Sequence, residues 1–131
     1  MTTNQNPKLL SPLTLAFIGD GVYELLVRER LIAKGSMPVG TLHTLAVQQV
    51  RASYQSKGYH ALLNILTDEE VSIMKRGRNA KGVHSPKNSD PTEYRHATGV
   101  EALFGFLYLN GSIDRINELF TYIQQNLEHS E

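Results

Sequence analysis

The chain has 131 residues, 40% of them hydrophobic and 8% aromatic, which suits a globular domain with a real core and excludes a disordered chain. Thirteen Lys and Arg balance thirteen Asp and Glu, so indiscriminate polyanion binding by the molecule as a whole is excluded. Zero cysteines exclude disulfides and thiolate metal sites, and no apolar run approaches the roughly 20 residues of a membrane span. The polar stretch 1–10 is not a secretory signal, and a cytoplasmic protein is expected.

In chain order, residues 1–10 are expected to be a disordered lead and 11–131 a single domain. Ser11-Pro12 opens the first helix, serine as N-cap and proline at the first helical position. That helix should run to about Lys34, stopped by Gly35 and Pro38. From Leu13 to Leu26 its apolar positions crowd almost the whole surface, which predicts a central helix packed on several sides. Leu42, Leu45, Ala46 and Val50 recur at helical spacing. A further helical piece is expected over about 51–66, bent or broken near Gly58. Thr67-Asp68-Glu69-Glu70 is a capping box, and it starts a helix that fades in Arg76-Gly77-Arg78-Asn79. Residues 77–90, rich in Gly, Asn, Ser, Pro and Lys, predict a mobile loop. Asp90-Pro91-Thr92-Glu93 repeats the start signal for a helix ending at Asn110-Gly111. Ser112 precedes the last helix, whose stripe is Ile113, Ile116, Leu119, Phe120, Ile123 and Leu127. With no convincing strand and no repeat, the fold class is all-α.

Two acids stand out. Asp20 lies between Gly19 and Gly21 in Leu15–Leu26, and Glu101 lies in the apolar run Ala97–Gly105. A carboxylate taken out of water costs several kcal/mol unless it finds a partner. Glycines inside a helix each cost up to about 1 kcal/mol relative to alanine, which suggests close approach of another helix or a ligand. Each acid could be structural, Asp20 exposed or capping and Glu101 paired with a base such as Arg95. Jointly they could hold a cation, and two carboxylates completed by water suit Mg²⁺ or Mn²⁺ rather than zinc. Such a site serves phosphoryl chemistry.

Other chemistries lack residues. The five histidines form no i,i+3 or i,i+4 pair, and no phosphate loop or nucleophile elbow is present. Between Val71 and Ser89 five bases (Lys75, Arg76, Arg78, Lys81 and Lys87) occur with no acid. Their plain reading is a solvated loop. Their functional reading is a phosphate-tracking arm, flexible at Gly77 and Gly82, which Tyr94, Arg95 and His96 extend toward the acids. His96 packs on a neighbour in the first reading and meets phosphate in the second.

Phe17-Ile18-Gly19-Asp20-Gly21-Val22 resembles the nuclease motif of the ribonuclease III family, and Val100-Glu101-Ala102-Leu103 with Gly105 resembles its second acidic motif. Lys75–Lys81, Asp90-Pro91 and Tyr94-Arg95-His96 resemble the Mini-ribonuclease III branch, which lacks a double-stranded-RNA-binding domain. The resemblance implies a homodimeric, Mg²⁺-dependent endonuclease for double-stranded RNA, with Asp20 and Glu101 as metal ligands and the first-motif helix at the dimer interface. It implies precursor large-subunit (23S) ribosomal RNA as substrate, with a ribosomal protein as a possible presenting partner. Leu13, Ala16 and Thr98 stand where larger members carry acids, which implies modest metal affinity. The rival expectation is a non-catalytic RNA- or ribosome-binding module on the same fold.

Overall fold

The computed structural model describes residues 6–128. Among them are six α-helices and no strand: α1 (Pro12–Ile32), α2 (Val39–Val50), α3 (Ala52–Leu62), α4 (Asp68–Arg78), α5 (Pro91–Leu109) and α6 (Ile113–Glu128). The all-α expectation holds, and the local start signals explain it. The Ser11 side chain accepts from Thr14 N–H, Asp90 accepts from Thr92 and Glu93, and both halves of the Thr67–Glu70 capping box form. Gly35, at φ 118°, lies in the left-handed region just beyond α1.

α5 is the central rod, packed against α1, α3 and α4. Val100, Ala102, Leu103 and Phe104 on it are fully buried. Tyr23 of α1 wedges between Phe104 and Phe120, with ring centroids at 5.6 and 5.4 Å in edge-on contact. Opposite this, Arg115 of α6 grips Glu70 with two bonds, at 2.7 and 2.9 Å, and also donates to the Ile65 carbonyl. Burial alone would raise the Glu70 carboxyl, but Arg115 and the Thr67 cap hold it below its ordinary value.

Three expectations need correction. Gly58 does not break its helix: α3 runs through it, and the glycine is buried beside Ile123. Gly77 is not a loop hinge but the penultimate residue of α4, where a Cβ would collide with Ala102 and Gly99 of α5. Of the expected disordered lead, Pro7–Leu9 form a 3₁₀ turn capped by Asn6, and Lys8 pairs with Glu69. Residues 1–5 lie outside the described part. α1 packs on several sides as expected, against α5, α2 and α4, while Phe17, Leu25 and Ile32 are 86%, 58% and 62% exposed.

Candidate active site

α1 and α5 cross with their backbones in contact, and this crossing builds the site. A side chain at Gly19 would overlap the Glu101 carbonyl, and one at Gly105 would overlap that of Leu15. The close approach inferred from the glycines is therefore that of another helix. It sets Asp20 beside Glu101 at the base of an open cleft of about 280 Å³.

The environments of the two acids differ. Asp20 is exposed, not buried as the apolar flanks suggest, because Phe17 and Gly21 beside it also face outward. Glu101 is half-buried. Burial, then the neighbouring Asp20 charge and a hydrogen bond with Asp20, push its carboxyl up from 4.5 to about 8, while Gln55 pulls the other way. Among the described residues no base forms an ion pair with either acid, and Arg95 is exposed. The pair concentrates oxygen donors with no base to balance them, and a hard cation would relieve the repulsion that arises once both are ionised. Among the described residues no group of three or more His, Asp or Glu could share an ion, so water or substrate must complete its shell. Leu13, Ala16 and Thr98 line this same cleft, and the Thr98 hydroxyl is spent on the Tyr94 carbonyl at 3.0 Å.

The basic residues divide into two groups. Lys75, Arg76 and Lys81 line an open groove of about 600 Å³, which meets the acidic cleft at Leu13, common to both. Lys87 and Arg95 are exposed and line neither. Arg78 is engaged: it donates to the Tyr59 hydroxyl at 2.9 Å and to Asn79 at 3.0 Å. His96 bonds Ser56 at 2.9 Å and packs between Tyr59 and His60. Burial first, then His60 and Arg78, keep its ring below the ordinary histidine value and thus neutral at neutral pH.

Two contributors escape a reading of the sequence. His84, from the segment after Gly82 (φ 89°), reaches the lip of the acidic cleft. Gln55 of α3 lies behind Glu101, and nothing in its own neighbourhood of the chain signals this.

An all-helical fold that joins two acids across a helix crossing defines a nuclease domain of the ribonuclease III type, and the Ribonuclease III domain profile matches residues 13–112. The Mini-ribonuclease 3 of Symbiobacterium thermophilum is 44% identical over 126 residues, 96% of this chain and 97% of that protein. That of Brevibacillus brevis is 47% identical over 115 residues, 88% and 86% of the two chains. A crystal structure of a Fusobacterium nucleatum protein superposes with a TM-score of 0.80 at 30% identity, covering 98% of this chain and all of the other. The chain belongs to the ribonuclease III family, in its Mini-ribonuclease 3 branch, and it is an endoribonuclease. No described helix is long and apolar enough to cross a membrane.

Proposed function

We propose that the protein is a homodimeric endonuclease that cuts double-stranded RNA with a divalent cation, Mg²⁺ or in its place Mn²⁺, held by Asp20 and Glu101. The observation that carries this reading is the meeting of those two carboxylates in one open cleft that continues into a basic groove. When bound, the cation supplies a Lewis acid for the scissile phosphate and lowers the pKa of an attacking water. Asp20, exposed, presents its carboxylate to the cleft without rearrangement. Burial and the neighbouring Asp20 hold the Glu101 carboxyl up at about 8, so it would have to give up a proton to serve as a ligand. Lys75, Arg76 and Lys81 track the backbone of a strand leading into the cleft, while Lys87 and Arg95 meet flanking phosphates. Arg78 and His96 support the wall behind them. Such contacts read the shape and phosphates of an A-form duplex rather than its bases.

The exposed Phe17, Leu25 and Ile32 of α1, with Val39 and Val47 of α2, support a second copy as the cover of this face. In this reading 11–131 work as one domain in the cytoplasm. The substrate is the base-paired stalk of precursor large-subunit ribosomal RNA, free or presented by a ribosomal protein.

The test is cleavage of an end-labelled RNA duplex at low salt, in Mg²⁺ or EDTA, by wild type and Asp20→Asn. Metal-dependent cutting of duplex but not single strand, lost in a folded Asp20→Asn, is expected. Equal cutting by both proteins removes Asp20 from the chemistry. No cutting by either, even with Mn²⁺ and a ribosomal precursor duplex, leaves a binding module in place of a double-strand cutter.

A further inference from the structure

Gln55 is 3% exposed, and its amide occupies a place that little else explains. Its Nε2 donates to the Val50 carbonyl at 3.0 Å, at the end of α2, and lies 3.5 Å from Glu101 Oε2. Its Oε1 is buried with no hydrogen-bond partner among the described residues. A buried, unpaired amide oxygen is unfavourable, and turning the amide over would relieve it only if a donor stood opposite. The Val50 carbonyl opposite can only accept, and Glu101 Oε2 is a second acceptor in the ionised form that would bind a cation. The two facing oxygens therefore fix which way the amide points, and the unpaired Oε1 is the cost of aiming N–H at Glu101.

Among the described residues the Tyr23 hydroxyl is also buried without a hydrogen-bond partner, its ring held between Phe104 and Phe120. Gln55 thus ties the α2–α3 joint to the acidic pair, and its bond to Glu101 strengthens, roughly twofold, when that carboxyl is ionised.

We infer that Gln55 is a positioning residue that orients the Glu101 carboxylate for the divalent cation, with the Val50 carbonyl as its anchor. This rests on the two-carboxylate reading of the cleft. With two protein ligands, cation affinity depends on how well each is held, and partners behind a metal ligand typically contribute about 10–100-fold.

The test counts Mn²⁺ bound to protein without RNA, from the electron paramagnetic resonance signal of the free ion, and follows duplex cleavage against Mg²⁺. Gln55→Met keeps the volume and removes both N–H bonds; Gln55→Asn keeps an amide one methylene too short to span Val50 and Glu101. Both should bind Mn²⁺ about tenfold more weakly and need about tenfold more Mg²⁺ for half-maximal cutting, with KM for duplex unchanged. If the methionine variant does not fold, the asparagine variant carries the comparison. Wild-type Mn²⁺ affinity and Mg²⁺ dependence in these variants, whatever their melting temperatures, would reduce Gln55 to a cap on α2 and overturn the inference. A wild type that neither binds Mn²⁺ nor cuts, and so matches Asp20→Asn, would instead bring down the two-carboxylate reading beneath it.

Discussion

Asp20→Asn removes one charge from the acidic pair while keeping the side chain's shape, and the structure sets the size of the effect. A Glu101 carboxyl titrating near 8 rather than 4.5 corresponds to about 5 kcal/mol between its two forms. Folded Glu101 binds its proton more tightly than the unfolded chain does. Its contribution to stability is therefore complete below 4.5 and is lost as pH rises through about 8. Burial supplies the largest share and survives the substitution; the Asp20 share does not. The asparagine variant in EDTA is therefore expected to be more stable than wild type at pH 8.5, by on the order of 1 kcal/mol. The two converge near pH 4.5. Urea unfolding at fixed protein concentration measures the difference. Mg²⁺ at a hundred times its Kd should reverse the order, adding about 2.7 kcal/mol to wild type and far less to the variant. An asparagine variant less stable than wild type at pH 8.5, or a gap that ignores pH, would refute the account of a repelling pair.

Gly105→Ala drives a methyl into the Leu15 carbonyl and should cost about 3 kcal/mol in urea unfolding, with duplex cleavage falling even where the variant stays folded. Arg115→Met strands the Glu70 carboxylate and should cost about 3 kcal/mol, while duplex affinity of the folded fraction stays at the wild-type level. Lys75→Ala with Lys81→Ala should weaken duplex binding and make the fall of log K with log salt shallower, by about 1 in slope for each phosphate no longer neutralised, measured by filter binding or anisotropy. Leu25→Asp places a charge in the exposed apolar face of α1, and light scattering should report a monomer for it and a dimer for wild type at the same concentration.

What is legible in the sequence is what is local to it. Ser11-Pro12, Thr67–Glu70 and Asp90–Glu93 announce helix starts because each cap bonds within three residues, and the structure forms all three. The acidic pair is legible because each of the two acids stands among apolar and small residues, Asp20 between Gly19 and Gly21 and Glu101 between Gly99 and Gly105. Apart from the Asn6-capped turn at Pro7–Leu9, the corrections concern what lies across the fold. Local pattern makes Gly58 and Gly77 look like breaks, yet both are packing positions whose neighbours, Ile123 and Ala102, are remote in the chain. Asp20 looks buried because helical spacing shows which residues share a side but not whether that side faces protein. Gln55 is invisible for the same reason: its partner Glu101 is 46 residues away and no short motif links them.

The α1–α5 crossing bears on how this protein can change over time. Main chain touches main chain at Gly19 and Gly105, so covalent geometry, not the rotamers of bulky neighbours, sets the spacing of the two acids. Leucines and phenylalanines around the crossing can be exchanged by drift, loosening or tightening the core, without passing that slack on to the acids. The domain thus separates two kinds of inheritance. Its interior is free to wander among hydrophobic solutions, while the interval between Asp20 and Glu101 is copied unchanged so long as two hydrogen atoms stay where any carbon would not fit.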